Sequence, residues 1–253
     1  MKRKLMVIGI GAGNPDHVTL QAIDAMNRVD VFFIPDKGTE KAGLAQVRRT
    51  ILERHVHKKA FRTVEYAVPS RRKAGPGYES AVSDWHSEIG KIFRGLILET
   101  LSDTEIGGFL VWGDPTLYDS TLRILEHLRA EGGFTLEYDV IPGISSVQAL
   151  AAQHRVALNA IGRAVLITNG RTPELGFPDN VDSVVVLLNA DKALRSADGD
   201  LDAYWGAYVG TPDEILVAGR LKDVVADVER IRAEAREKKG WIMDTLLLKK
   251  PNP

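Results

Sequence analysis

The sequence predicts an α/β protein built as two successive α/β units, and three observations carry that prediction. Short apolar runs alternate with stretches of helical spacing. Glycine- or proline-bearing turns follow three of those runs, at Gly9-Ile10-Gly11-Ala12-Gly13, Gly113-Asp114-Pro115 and Pro142-Gly143. The length, 253 residues with 44% hydrophobic, suits one large domain or two of about half that size.

Residues 5–9 form an apolar run ending in glycine, which reads as a buried strand. Thr19 offers an N-cap to a helix with apolar positions Leu20, Ile23 and Met26. Residues 30–34 predict a second buried strand, stopped by Pro35, and Leu44, Val47 and Ile51 mark another helix. Past the Gly75-Pro76-Gly77 break, Val82, Trp85, Ile89, Leu96 and either Ile92 or Phe93 predict a helix of about five turns. Residues 109–112 read as a short strand running into Gly113. The first half is thus β-α-β-α-α-β, the pattern of a parallel sheet covered by helices.

In the second half, Leu122, Leu125 and Leu128 form a helical stripe closed by Gly132-Gly133. Phe134, Leu136, Tyr138 and Val140 alternate as a half-buried strand. Residues 145–153 read as helix, 164–168, 183–188, 214–218 and 241–248 as strands, and 223–238 as a charged helix. The units are expected over 1–115 and 116–253.

Composition excludes several chemistries. There is no cysteine, hence no disulfide, thiolate zinc site, iron–sulfur cluster or cysteine nucleophile. No apolar run approaches the ~18 residues of a membrane span. The opening Met1-Lys2-Arg3-Lys4 and its apolar run are read as strand and loop rather than an export signal, because three glycines interrupt them. Net charge is −1, yet residues 41–73 hold ten Lys/Arg against Glu53 and Glu65. Such a segment suits an anionic partner or a solvated face.

Glycines at 9, 11 and 13 permit a tight turn and close approach of a ligand to the backbone. The dinucleotide pattern G-x-G-x-x-G is incomplete, since Asn14 stands at its last position. Asp114, before a proline, either holds a ligand group or caps the next helix. Ser145 and Ser146 either cap a helix or bind a carboxylate or ribose. No G-x-S-x-G elbow exists, and the histidines are scattered, so a Ser-His-Asp site and a metal site are not expected.

Taken together and in this order, the motifs resemble the tetrapyrrole methylase family, S-adenosylmethionine (SAM) enzymes with two α/β domains. The resemblance rests on Val7-Ile8-Gly9-Ile10-Gly11-Ala12-Gly13-Asn14-Pro15-Asp16 with Thr19-Leu20, Asp30-Val31, Gly113-Asp114-Pro115-Thr116-Leu117-Tyr118 and Pro142-Gly143-Ile144-Ser145-Ser146. It continues through 184–189, Gly210-Thr211-Pro212 and 216–221, so it spans nearly the whole chain. Segments 11–20 and 33–38 are similar to the branch of the oxygen-dependent cobalamin pathway that methylates and deacetylates precorrin-5.

The resemblance implies SAM as co-substrate in a cleft between the domains, without a metal. It places the SAM contacts at Ala12, Gly113, Asp114, Leu117, Ser145, Ser146, Asn189 and Gly210. Ala12 and Asn189 stand where relatives often carry proline and methionine. The implied substrate is precorrin-5, methylated at ring carbon C1 with release of acetate. Its carboxylates give the basic segment a purpose, with Arg48, Arg49, Arg54 and Arg71 as candidate clamps. Asp36, one position past the aligned Pro35, is the candidate for handling protons. A homodimer in the cytoplasm, with no nucleic-acid or membrane partner, completes the expectation. Two other readings are a methylase of another ring carbon and a tetrapyrrole-binding protein without turnover.

Overall fold

The computed structural model describes residues 1–36, 42–57, 60–69, 78–170, 180–188 and 190–251. The chain divides into two compact units, Met1–Gly11 with Pro15–Ile144, and Ala12–Asn14 with Ser145–Pro253.

Unit 1 contains β1 (Lys2–Gly9), α1 (Leu20–Met26), β2 (Val31–Asp36), α2 (Ala42–His55), β3 (Arg62–Ala67), α3 (Tyr78–Thr100), β4 (Ile106–Val111), α4 (Thr121–Glu131) and β5 (Thr135–Ile141). The sheet order is β3-β2-β4-β1-β5, and every pairing is parallel. Alternation divides its side chains between two cores. Met6, Ile8, Phe32, Ile34 and Leu110 pack with Ala22, Met26 and Ile51 of α1 and α2. Leu5, Val7, Phe33, Phe109 and Val111 pack with Phe93, Ile97, Leu125 and Leu128 of α3 and α4. Phe93 stacks on Phe109 with centroids 4.4 Å apart, a contact worth about 0.5–1.5 kcal/mol beyond its area burial.

Thr19 caps α1 as expected, accepting from the Ala22 N–H at 3.1 Å. Leu20 does not face the core: it is 81% exposed in the first turn. Gly132, at φ 72°, ends α4.

The expected boundary at 115/116 is corrected to one after Ile144. Gly113 looks like a break, but β5 pairs with β1 from Lys2↔Thr135 to Ile8↔Ile141, so α4 and β5 complete the first sheet. β2 also runs through Pro35 to Asp36, because its pairing with β3 continues that far.

Unit 2 contains α5 (Ser146–His154), β6 (Ala164–Asn169), β7 (Val181–Leu187), α6 (Asp191–Ser196), β8 (Asp202–Ala207), β9 (Ile215–Arg220), α7 (Leu221–Lys239) and β10 (Asp244–Lys249). The sheet order is β6-β7-β10-β8-β9, with β6 and β7 parallel and the other neighbours antiparallel. Val184, Val186, Trp205, Leu246 and Leu248 pack with Leu194, Leu221 and Val228. At its centre, Arg232 Nε donates to Asp244 Oδ2 at 2.8 Å, and Trp205 Nε1 donates to the same oxygen at 3.3 Å.

Candidate active site

The carboxyl ends of β1, β4 and β5 converge on three glycines. A Cβ on Gly143 would lie 2.2 Å from the Gly113 carbonyl oxygen and 2.9 Å from Gly9 Cα. A Cβ on Gly9 would lie 2.6 Å from Gly143 N. Only hydrogen side chains fit there, so the turns after the three strands form one bare backbone surface. Gly113 N donates to Gly11 O at 2.8 Å, and Gly11 N returns a 3.3 Å bond to Gly113 O. Both glycines hold positive φ, 79° at Gly11 and 65° at Gly113. Two buried polar atoms, Nδ1 of His17, whose Cβ lies against Gly11, and Nε1 of Trp112, the residue before Gly113, have no hydrogen-bond partner among the described residues.

Asp114 braces the surface. Its Oδ2 accepts from Gly143 N at 2.9 Å, and its Oδ1 accepts from Thr116 N at 2.8 Å and from the Thr116 hydroxyl. Burial opposes its ionisation, but the bonds from the Thr116 hydroxyl, Gly143 N–H and Thr116 N–H outweigh that and hold its pKa below the ordinary aspartate value. The carboxylate therefore ties the turn after β4 to the turn after β5.

Of the other expected contacts, Ala12 is buried, and Leu117 is half-buried with its N–H bonded to Asp114 O at 3.2 Å. Ser145 caps α5: its hydroxyl accepts from Val147 N at 3.1 Å and donates to Gln148 Oε1 at 2.6 Å. Ser146 shares a 2.9 Å hydroxyl bond with Thr245. Gly210 stands at φ 82° and donates to Glu214 Oε2 at 2.7 Å. Asn189 and Arg71 lie outside the described residues.

The three described arginines among the candidate clamps have different surroundings. Arg49 pairs with Glu65 and Arg54 with Asp16, both on the surface. Arg48 is only 7% exposed, donates from Nε to Leu110 O at 3.0 Å, and lies over the Trp112 ring. It lines a cavity of about 230 Å³ with Pro35, Tyr66, Trp85, Tyr118 and Asp119. Asp36 is exposed at the end of β2. Alternation puts it on the side of Ile34, away from the Phe33 and Pro35 side that faces this cavity.

Sequence reasoning passed over Tyr66, Tyr118 and Asp119 as site residues. The alternation of Val64, Tyr66 and Val68 was the available signal for the first. Tyr118 holds φ 53°, a backbone conformation that concentrates at functional sites, and no sequence pattern reveals it.

Two α/β units and a glycine surface at the ends of parallel strands define a small-molecule enzyme of the ligand-at-strand-ends type. A model of the tetrapyrrole (corrin/porphyrin) methylases matches residues 4–225. A precorrin-6A synthase [deacetylating] of Sinorhizobium sp is 51% identical over 98% of this chain and 95% of its own length. A solved structure from Corynebacterium diphtheriae, described as a cobalamin synthesis related protein, covers both chains completely at 36% identity with a TM-score of 0.82. A uroporphyrin-III-C-methyltransferase from Thermus thermophilus shares the fold, with a TM-score of 0.60 and 18% identity over 98% of this chain and 94% of its own. The chain belongs to the tetrapyrrole methylase family. Among the described residues, no helix is long and apolar enough to cross a membrane, and no group of three or more His, Cys, Asp or Glu is placed to hold a metal.

Proposed function

We propose that this chain is a SAM-dependent C-methyltransferase of corrin-ring biosynthesis, methylating precorrin-5 at C1 with release of acetate to give precorrin-6A. The observation that carries this reading is 51% identity to the deacetylating precorrin-6A synthase over almost the full length of both chains. The glycine surface fits the methyl donor. The turns after β1, β4 and β5 pack backbone against backbone, where a Cβ at position 9 or 143 would strike the neighbouring turn, and His17, packed against Gly11, keeps a polar atom to be satisfied.

In this reading Ala12, Gly113, Leu117 and Gly210 meet the donor through backbone, and Ser146 and Asn189 are further candidate contacts. Asp114 and Ser145 act mainly by fixing the turns that present those groups, since their oxygens already bind Gly143, Thr116, Val147 and Gln148. When bound, SAM supplies an electrophilic sulfonium methyl, so no covalent nucleophile is required of the protein. The task left to the chain is alignment: holding the ring carbon in line with the methyl and keeping water from it. Asp36 remains the candidate for moving a proton at the end of β2. Asp36→Asn should then lower kcat while SAM affinity is kept. The proposal extends to a cytoplasmic homodimer, tested by sedimentation of the purified protein.

Incubation with precorrin-5 and methyl-labelled SAM, followed by mass analysis, tests the reaction. Gain of one methyl with acetate release is the expected result. Methyl gain without acetate would move the activity to another ring carbon, and tight tetrapyrrole binding without methyl gain would make the chain a carrier.

A further inference from the structure

β2 and β4 are paired only from Val31↔Gly107 to Phe33↔Phe109. Both strands run on, β2 along β3 to Asp36 and β4 along β1 to Val111. They part because the chain leaves β2 for α2 on one face of the sheet and leaves β4 for α4 on the other. Such a divergence at the carboxyl ends of parallel strands is where α/β sheets open a ligand crevice.

The ladder shows what fills the gap. Ile10 N donates to Val111 O at 2.9 Å from the β1 side, so the preceding carbonyl, Leu110, points toward β2. With β2 gone, Arg48 Nε supplies the missing donor at 3.0 Å. A neutral donor would satisfy that carbonyl. The guanidinium is instead carried almost wholly buried to the wall of the 230 Å³ cavity. Burial lowers the Arg48 pKa, and the nearby Tyr66 and Asp119 work the other way.

The remaining walls combine aromatic rings, aliphatic side chains such as Val68 and Ile89, hydroxyl-bearing side chains and the Asp119 carboxylate. Trp85 donates its indole N–H to Pro69 O at 2.9 Å, and Tyr66 stands edge-on to Phe93. Ser120 and Thr121 line the side formed by the start of α4. Asp119 turns one carboxylate oxygen to Thr121 N at 2.7 Å. The volume is below the roughly 300–1,000 Å³ of sites that enclose a whole drug-sized ligand, so the cavity suits one edge of a larger molecule.

We propose that this cavity is the carboxylate subsite for the tetrapyrrole: it takes one carboxylate-bearing ring edge, with the carboxylate on Arg48 and the ring against Tyr66, Trp85 and Tyr118. The inference rests on the methylase reading and sharpens it. It singles out Arg48, buried at the cavity wall, over the exposed Arg49 and Arg54.

Two variants test it by different means. Arg48→Gln removes the cation, and Val68→Phe narrows the cavity without touching Arg48. Each is measured for thermal stability, SAM affinity by calorimetry, precorrin-5 kinetics, and binding of uroporphyrin III, a tetrapyrrole with eight carboxylates, by fluorescence. Both variants should raise the precorrin-5 KM and the uroporphyrin Kd at least tenfold, with kcat less affected and SAM affinity within twofold of the parent. Arg48→Lys should fall between parent and Arg48→Gln, because a point charge lacks the planar fork. Parental KM and parental uroporphyrin affinity in both folded variants overturn the subsite. If Arg48→Gln fails to fold, Val68→Phe decides alone. If the parent binds uroporphyrin in an Arg48-dependent way but does not methylate precorrin-5, the assigned reaction falls and the subsite stands.

Discussion

Gly143→Ala tests the packing on which the candidate donor site depends. The added Cβ would lie 2.2 Å from Gly113 O, 2.8 Å from Gly9 C and 2.9 Å from Gly9 Cα. All three are backbone atoms, so no side chain can swing aside. An ordinary contact needs roughly 3.5 Å, which forces the turn after β5 back by more than about 1 Å. That retreat stretches the 2.9 Å bond from Gly143 N to Asp114 Oδ2 beyond hydrogen-bonding range. A lost bond to a charged acceptor costs about 1.5–3 kcal/mol, and overpacking costs about 1–3 kcal/mol. The expected loss is therefore about 2.5–6 kcal/mol. Gly132→Ala is the control: φ is 72° there, but nothing lies within 4 Å of the added carbon, so only backbone strain of about 1–2 kcal/mol remains. Urea unfolding and calorimetric SAM titration of both variants read the difference. Gly143→Ala should be the less stable and should bind SAM weakly, whereas Gly132→Ala should bind it normally. A Gly143→Ala protein with parental midpoint and parental SAM affinity would refute the close-packed backbone surface.

The depressed pKa of Asp114 gives its tie a defined pH window. The stabilisation is fully present above the unfolded aspartate pKa of about 3.9 and is lost as pH falls through the lower folded value, so the melting-temperature gap between parent and Asp114→Asn should be constant above about pH 5 and close below about pH 4. Asp244→Ala removes the 1%-exposed carboxylate that Arg232 and Trp205 share, and urea unfolding should show a loss of about 3–5 kcal/mol; Asp244→Leu with Arg232→Met should recover much of it. Precorrin-5 KM should rise only modestly between low and high salt, because Arg49 and Arg54 are already paired on the surface and the buried Arg48 is poorly screened.

The central strands were readable because both their faces are covered. β1, β2 and β4 carry near-continuous apolar runs, Leu5 to Ile8 and Val31 to Ile34 among them. β3 was overlooked because it is an edge strand. Only one face is partly covered, through Val64 and Tyr66, and its sequence falls inside the basic segment. β8 escaped for another reason: Asp-Ala-Tyr-Trp-Gly-Ala has no β-branched residue, although Trp205 is fully buried in the second core. The glycine turns were legible since positive φ and close backbone approach restrict those positions to one residue type. The bonds that give Asp114 its role were not, because Gly143 is 29 residues away.

Arg48 shows why composition alone misplaces a binding charge. The excess of ten Lys/Arg over two acids in 41–73 suggests a positive surface, but the acids that offset it come from elsewhere in the chain: Asp16 holds Arg54, and Glu105 holds Arg62. Exposed pairs of this kind contribute about 0–1 kcal/mol each and leave little net field. Arg48 differs because of strand pairing, not local charge. The split between β2 and β4 leaves the Leu110 carbonyl needing a donor, and α2 runs at the height where its Arg48 reaches that carbonyl. The same split opens the cavity, so the need for a donor and the space for a ligand arise together. An arginine meets both demands at once, one nitrogen on the backbone and a charge at the cavity wall, which a serine or glutamine at position 48 would not do.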